Sequence, residues 1–225
     1  MNYIKILTVL LFAITISSCE FGTTTTVENG DSLTDGSKKP IPTSPVKIER
    51  LDNWICIPGE QVGRIKANFN GSDIYKTFGK ENVLETEIGL GEGETKKGLL
   101  VFPKTNNEIQ VLFQGKEEMT KLESIRIKGT DSKWKTDSGI KVGATLEQLV
   151  AVNGKDFNFY GFEWDYAGKL ANWDGGKLND KLSVFLEATN EEAVFPNLLG
   201  DIEFSSSNPK AKEAGLKVSE ILINF

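Results

Sequence analysis

The chain has 225 residues, with 26 basic and 32 acidic side chains, no histidine, and a net charge of −6 at pH 7. Without histidine it lacks the side chain that most often titrates near neutrality and binds transition metals, which excludes Ser-His-Asp, Cys-His and histidine-zinc sites. The acidic balance and the absence of a basic patch argue against nucleic acid as a partner.

The first segment in chain order has the pattern of an export signal. Lys5 precedes an eleven-residue apolar run from Ile6 to Ile16, and the small residues Ser17 and Ser18 follow it. A membrane-spanning helix needs roughly 20 apolar residues, so this run fits the apolar region of a signal peptide better than a permanent anchor. We predict that residues 1–18 are a cleaved signal peptide.

The tetrapeptide Ile16-Ser17-Ser18-Cys19 resembles the lipobox of bacterial lipoproteins. This resemblance implies that Cys19 becomes the first residue of the mature chain and carries acyl chains such as palmitate. More than one chain is normal in that family, and at least two hydrophobic signals are needed for stable anchoring. Glu20 follows the cysteine, which in that family favours the outer membrane over the inner one. The sequence leaves open whether the protein faces the periplasm or the cell surface.

Residues 20–47 have the composition of a linker, with four consecutive threonines, three prolines and few large apolar side chains. Such a composition does not bury enough apolar surface to fold. We therefore predict a flexible tether over residues 19–48, beginning at the lipidated cysteine, with an end-to-end distance of about 30 Å.

The remaining chain is predicted to form two related units, residues 49–130 and 131–225. The motif Trp54-x4-Gly59-x2-Val62-Gly63 recurs with the same spacing from Trp134 to Gly143, and residues 123–127 resemble residues 219–223. A repeat of this kind changes the expected architecture, because each copy is one supersecondary unit. We interpret the pattern as a degenerate duplication.

Each unit is predicted to contain one short helix. In the first, Ser72 is the expected N-cap and Gly79 ends the helix. In the second, Thr145 and Gln148 have the spacing of a capping box, and the helix ends at Asn153-Gly154.

The other apolar segments are short, β-branched or aromatic, and bounded by turn residues, which is typical of strands. Asn106-Asn107 and Asp174-Gly175-Gly176 are expected turns. The fold class is predicted to be α+β, with each unit a short helix packed on a small antiparallel sheet. The predicted strands cover residues 99–102, 108–113, 123–128, 157–166, 182–187 and 218–225.

Two stretches carry a resemblance to known envelope proteins: Gly71-Ser72 to Gly79, and Gly143-Ala144-Thr145 to Gly154. A short helix that opens after Gly-x-Ser/Thr and leads into aromatic strands resembles the small outer-membrane lipoprotein of the β-barrel assembly machinery. It is also similar to the β-lactamase-inhibitor-protein fold. The chain departs from the first family at Lys80 and Lys155, where that family usually has proline, and no functional residue is carried over. Residues 134–178 also resemble uncharacterised envelope lipoproteins.

Residues 157–174 hold the richest set of binding candidates. If 157–166 is one strand, Tyr160, Phe162, Trp164 and Tyr166 share a face, which we interpret as core, with a sugar- or peptide-stacking platform as the alternative. Trp173 lies between two polar residues and is expected to be the most exposed aromatic. The binding candidates are Trp164, Tyr166, Trp173 and Asp174.

Other side chains suggest chemistry less strongly. Glu163 and Asp165 would share the polar face of the same strand, where paired carboxyls are compatible with either class of glycosidase. Cys56 lies in an apolar strand and is expected to be a buried thiol.

An acidic, glycine-rich segment suggests either a solvated hairpin tip, which we favour, or a calcium site. Its carboxylates are Glu85, Glu87, Glu92 and Glu94.

The sequence thus predicts a lipid-anchored envelope lipoprotein that acts as a non-enzymatic binding or scaffold module. Its expected partners are the membrane, through the lipid, and an envelope protein or glycan, with no cofactor. One alternative is a carbohydrate-binding or carbohydrate-active protein that uses residues 157–174. The other, based only on the fold resemblance, is an inhibitor of an envelope enzyme.

Overall fold

The computed structural model describes residues 53–115 and 118–225, so the predicted signal peptide, Cys19 and the tether lie outside the described residues. All described residues belong to one compact unit. The strands are β1 (Ile55–Ile57), β2 (Gln61–Val62), β3 (Ile65–Lys66), β4 (Val83–Gly91), β5 (Glu94–Val101), β6 (Ile109–Phe113), β7 (Leu122–Ile127), β8 (Lys135–Thr136), β9 (Asn158–Tyr160), β10 (Leu170–Asn172), β11 (Leu182–Glu187), β12 (Glu203–Ser205) and β13 (Lys217–Asn224). The helices are α1 (Gly71–Phe78), α2 (Leu146–Asn153), α3 (Glu191–Val194) and α4 (Pro209–Glu213).

The largest sheet is antiparallel, with the strand order β11-β13-β7-β6-β5-β4. Strands β7 and β13, which the sequence predicts as the last strand of each unit, pair with each other near its middle. Strands β4 to β7 precede residue 130 and strands β11 and β13 follow it, so one sheet crosses the predicted unit boundary. Short helices together with mainly antiparallel sheets confirm the α+β class.

One face of this sheet forms the hydrophobic core because strand residues alternate between faces. Leu99, Val111, Ile125, Ile223 and Leu182 are successive partners across five strands, and each is at most 1% exposed. Helices α1 and α2 contribute apolar side chains to the same core. Within the described residues, no helix has the length and apolar character needed to cross a membrane.

The two predicted helices both form, but the first begins earlier than expected. Asn70, rather than Ser72, is its N-cap: the Asn70 side chain accepts a hydrogen bond from Asp73 N at 3.1 Å, and Asp73 Oδ2 accepts one from Asn70 N at 3.2 Å. Asparagine is as good a cap as serine, and its reciprocal bond with Asp73 satisfies two helix-end donors. In α2, the capping box of Thr145 and Gln148 is confirmed.

Strands β4 and β5 form a long hairpin; the acidic, glycine-rich segment forms its exposed tip, as the sequence favours, but most of the two strands is not predicted. Only residues 99–102 were expected to be extended there, because the rest of the hairpin is charged and rich in glycine. Its two-residue turn, Glu92-Gly93, has positive φ at both positions, as tight hairpins require. Gly98 is needed for close packing, since a Cβ atom there would lie 2.5 Å from Ile88 Cδ1 and 2.6 Å from the Val111 carbonyl oxygen.

A charged group lies on the face of the large sheet opposite the core. Arg126 Nη1 donates a hydrogen bond to Gly89 O at 2.9 Å, and Arg126 Nε lies 3.5 Å from Glu220 Oε1. The side chains of Arg126 and Glu220 are only 16% and 11% exposed. Lys128 Nζ also lies 3.1 Å from Glu220 Oε2, so the buried carboxylate faces two cations.

A smaller sheet with the order β3-β2-β1-β8 brings together the two copies of the tryptophan motif. Strand β1 pairs in parallel with β8, and the Trp54 and Trp134 rings meet at 4.7 Å between centroids. Cys56, in β1, is completely buried as predicted, and this burial, helped by Asp137, raises the pKa of its thiol to about 12. The two copies of the motif are therefore adjacent in space, and duplication of the two units stays a prediction.

Candidate functional site

A third sheet, with the order β10-β9-β12, carries the segment that the sequence singled out. Phe157 and Phe159 are completely buried, and the Phe159 ring lies 6.2 Å from that of Phe204 on β12. The expected core face of Tyr160, Phe162, Trp164 and Tyr166 is therefore wrong for three of its residues: Tyr160 and Trp164 are half-buried and Tyr166 is exposed, while Phe162 packs against the core. The aromatic residues of this segment fall into two alternating sets. Packing against the neighbouring strand buries the set that contains Phe157 and Phe159.

The predicted strand over 157–166 ends at Tyr160 because the backbone turns at Gly161. A Cβ atom on Gly161 would lie 2.6 Å from Gly200 O and 2.8 Å from Leu198 O, so only glycine allows this approach. Two residues later, Glu163 has a φ of 65°, a left-handed conformation that costs a non-glycine residue about 1–3 kcal/mol. The chain then folds back, and Gly168 N donates a hydrogen bond to Gly161 O at 3.1 Å.

This turn assembles three aromatic rings at the surface. Trp164 lies between the other two, with ring centroids 5.5 Å from Tyr160 and 5.3 Å from Tyr166, and interplanar angles of 77° and 66°. Its Nε1 donates a hydrogen bond to Gly161 O at 2.9 Å, which fixes the orientation of the indole. Lys169 Nζ lies 5.0 Å from the centroid of the Tyr166 ring, within range of a cation–π contact.

The hydroxyl groups of the two tyrosines remain available to a ligand, whereas the indole N–H of Trp164 is already used. Within residues 53–115 and 118–225, the hydroxyls of Tyr160 and Tyr166 make no hydrogen bond to the protein. A buried tyrosine hydroxyl normally makes a hydrogen bond to the protein. The absence of such a bond for these two hydroxyls indicates that they face solvent. Tyr166 is 39% exposed, which makes it one of the few large apolar residues that the described surface presents.

A ladder of amide and carboxylate groups runs across the same face of the sheet. Asn158 on β9 is the cross-strand partner of Asn172 on β10, and Asn158 Nδ2 donates a hydrogen bond to Asn172 Oδ1 at 3.3 Å. Asn172 Nδ2 in turn donates one to Glu203 Oε2 on β12 at 3.2 Å. Glu203 pairs with Tyr160 in the β9–β12 register, so the ladder adjoins the rings. We call the combined site the aromatic–amide surface; it consists of Tyr160, Trp164, Tyr166, Asn158, Asn172 and Glu203.

Sequence patterns identified the rings of this surface better than its polar part. Asn158, Asn172 and Glu203 come from three separate strands, and their approach depends on the register of those strands. The available signal was the asparagine in each of β9 and β10, because a polar residue beside a buried aromatic one indicates the solvent face.

Of the two remaining binding candidates, Trp173 is buried and Asp174 is exposed. Trp173 was expected to be exposed, but it is 2% exposed; its Nε1 donates a hydrogen bond to Leu182 O at 2.8 Å and its ring lies 5.2 Å from Phe157. Asn172 ends β10 and Asp174 begins the turn that follows, so the polar neighbours of Trp173 do not report its burial. Asp174 is exposed and forms an ion pair of 3.0 Å with Lys155.

The two candidate catalytic carboxyls do not occupy one strand face. Glu163 and Asp165 both lie in the turn after β9, and both are exposed to solvent. A general acid that works near neutrality usually needs a shielded site that raises its pKa. The geometry therefore does not support a glycosidase assignment for this pair.

The four glutamates of the acidic segment are distributed along the β4–β5 hairpin rather than collected at a site. Glu85 and Glu87 lie on β4, Glu92 is in the turn, and Glu94 begins β5. The Glu85 carboxylate is 2.7 Å from Lys97 Nζ. Across the described parts of the chain, no three His, Cys, Asp or Glu side chains are grouped so as to hold a metal ion.

Comparisons with known proteins add little to this description. No protein-family model matches the chain, and no curated protein matches it. A solved structure, that of the uncharacterized protein yfeY from Escherichia coli, is similar with a TM-score of 0.45 and 11% sequence identity. The match covers 75% of this chain and 99% of that one. A likeness of this degree supports no argument about function.

Proposed function

We propose that the protein is a lipid-anchored cell-envelope protein whose folded part is a non-enzymatic binding module, with the aromatic–amide surface as its recognition site. The observation that carries this proposal is the surface cluster of Tyr160, Trp164 and Tyr166. Adjacent aromatic rings at a surface are a common feature of ligand- and protein-binding sites. Tyrosine and tryptophan also dominate the energetics of binding sites, because they offer large, rigid contact areas with a polar end.

The arrangement of these rings favours binding over a role in the core. The core under this sheet is already filled by Phe157, Phe159 and Trp173. The surface rings pack edge to face against each other, and the Trp164 indole is fixed by its hydrogen bond to Gly161. A site whose side chains are held in place before the ligand arrives loses less conformational entropy on binding.

The anchoring part of the proposal rests on the lipobox at Cys19. A lipid-modified cysteine followed by the predicted tether would hold the module near a membrane surface, with a root-mean-square tether length of about 30 Å. The recognition surface would then lie close to the membrane that holds the lipid. Within that space, a binding module acts on components held near the same membrane.

The anchoring is tested by growing cells with radiolabelled palmitate and fractionating them. We expect the wild-type protein to carry label and to sediment with membranes, whereas Cys19→Ala should carry no label and appear in the soluble fraction. An unlabelled wild-type protein would show that the lipoprotein assignment is wrong.

The binding is tested by capture from detergent-solubilised envelope, with the full mature lipoprotein as bait. We expect the wild type and the control Leu84→Ala to retain the same component, and the variant Tyr166→Ala to lose it. Leu84 is a suitable control because it is 46% exposed and lies on β4 of the large sheet. Equal retention by all three baits would argue against the aromatic–amide surface as the site.

A further inference from the structure

We infer that the aromatic–amide surface binds a neutral, β-1,4-linked glycan chain with N-acetylated sugars, of the kind found in the cell wall. This inference rests on the proposed function and adds the class of ligand. Three features of the surface define that class: the arrangement of its rings, its unused hydrogen-bonding groups and its charge.

The rings form a corner that suits a pyranose. Trp164 stands nearly perpendicular to Tyr160 and steeply inclined to Tyr166, so a ring face is bounded by the edge of a neighbouring ring. A pyranose whose substituents are equatorial has flat faces of axial C–H bonds, which pack on an aromatic face, and a rim of hydroxyls. Lys169 lies over one face of Tyr166, and Tyr166 is the most exposed of the three rings, so we expect the sugar to pack mainly on the exposed part of Tyr166.

The ladder offers the complementary polar groups. Apart from the bonds within the ladder, Asn158 Oδ1 and Glu203 Oε1 make no hydrogen bond to any residue that the structure describes. An acetamido group needs one acceptor for its N–H and one donor for its C=O, and an asparagine side chain provides both in one plane. A carboxylate accepts hydrogen bonds from sugar hydroxyls, as the Glu203 oxygen is placed to do.

The charge around the surface disfavours anionic ligands. Glu203 belongs to the ladder, and Glu163 and Asp165 are exposed on the adjoining turn; the nearby cations are Lys169, over the Tyr166 ring, and Lys155, which is paired with Asp174. Phosphate, sulfate and anionic lipid head groups would be repelled by this excess of carboxylates. A neutral glycan meets no such penalty, and its hydroxyls gain acceptors.

The shape and position of the surface favour an extended chain near the membrane. Three strands spaced about 4.8 Å apart span about 10 Å between their outer axes, the length of roughly one disaccharide of an extended chain. A β-1,4-linked chain is flat and extended, whereas an α-1,4-linked chain coils away from a flat sheet. The predicted tether, with a root-mean-square length of about 30 Å, would allow the surface to reach a glycan chain beside the membrane.

The inference is tested by calorimetry on the full mature lipoprotein in detergent micelles, with chitohexaose as the probe. Cellohexaose has the same linkage without acetamido groups, and maltohexaose has the α linkage. We expect chitohexaose to bind at least about tenfold more tightly than cellohexaose, and maltohexaose not to bind. Purified peptidoglycan sacculi should sediment the protein, and chitohexaose should release it.

Variants link the binding to the surface. Tyr166→Ala and Asn172→Ala should each weaken chitohexaose binding at least about tenfold, while the controls Leu84→Ala and Asn106→Ala leave it unchanged. Asn106 is an exposed asparagine on the loop between β5 and β6. Tyr166→Phe, which removes only a surface hydroxyl, covers the case in which the alanine variant unfolds; it should weaken binding several-fold.

Several outcomes would overturn the inference. One is the absence of chitohexaose binding at millimolar concentration, and another is binding that these variants leave unchanged while their thermal unfolding is normal. If no glycan binds but an envelope protein is captured through Tyr166, the ligand class is wrong and the proposed function stands. If Tyr166→Ala affects neither glycan binding nor envelope capture, both proposals fail.

Discussion

Replacing Asn153 by aspartate should destabilise the protein strongly and in a pH-dependent way. Asn153 ends α2 and is 1% exposed. Its Nδ2 donates hydrogen bonds to Lys155 O at 2.9 Å and to Trp173 O at 3.0 Å, and its Oδ1 accepts one from Leu178 N at 3.2 Å. This side chain therefore ties the helix end to the loop that follows β10, beside the aromatic–amide surface.

The expected magnitude follows from these contacts. Trp173 O keeps a second donor, the Gly176 N–H at 3.0 Å, but Lys155 O has Asn153 Nδ2 as its donor among the described residues. An orphaned buried polar group costs about 1–3 kcal/mol, and an ionised carboxylate facing two carbonyl oxygens in a buried site adds a desolvation penalty. We expect Asn153→Asp to lower the free energy of unfolding by about 3–5 kcal/mol at pH 7. For a domain of this size, that corresponds to a fall in Tm of about 10 °C.

The pH dependence has a definite sign. Burial and the two carbonyl oxygens raise the pKa of the introduced carboxyl in the folded state above its value in the unfolded chain. The folded state then binds more protons than the unfolded state between these two pKa values, so stability falls as pH rises through that range. Near pH 4 the protonated carboxyl can donate to one carbonyl, and the deficit of Asn153→Asp relative to wild type should be smaller than at pH 7.

The assay is urea unfolding followed by circular dichroism at pH 4 and pH 7. The matched control is Asn106→Asp, an exposed site where the same change should alter stability by less than about 0.5 kcal/mol. A deficit for Asn153→Asp below about 1 kcal/mol at pH 7, or one that is the same at both pH values, would refute the reasoning.

Three further outcomes are expected. In a Cys19→Ala background, the Cys56 thiol should resist a disulfide reagent at pH 8 until urea unfolds the protein, because burial raises its pKa to about 12; rapid native labelling would contradict this. Gly98→Ala should cost about 1–3 kcal/mol in urea unfolding through overpacking, and an unchanged midpoint would disprove the close contact. Arg126→Leu should cost about 3–5 kcal/mol by thermal unfolding, since it removes one of the two cations facing Glu220, and the double variant Arg126→Leu/Glu220→Leu should cost less. A double variant that is worse than Arg126→Leu would argue against the buried pair.

The sequence by itself determined the features that depend on local chemistry. The capping box at Thr145 and Gln148 follows from spacing alone, because a cap involves only residues within one helical turn. The α+β class followed from short β-branched segments and two short helices. The burial of Cys56 was equally predictable, since it lies among large apolar neighbours.

Tertiary structure decided which side of each strand became surface. In the 157–166 segment two alternating sets of aromatic residues compete for the core, and alternation alone cannot rank them. Packing of Phe159 against Phe204 buries one set, and the turn at Gly161 brings Trp164 and Tyr166 out beside Tyr160. The amide ladder likewise exists only through the register of three strands that are distant in sequence. The alternation of residues in the sequence assigns them to two faces of a strand. Which face is buried depends on the elements that pack against it.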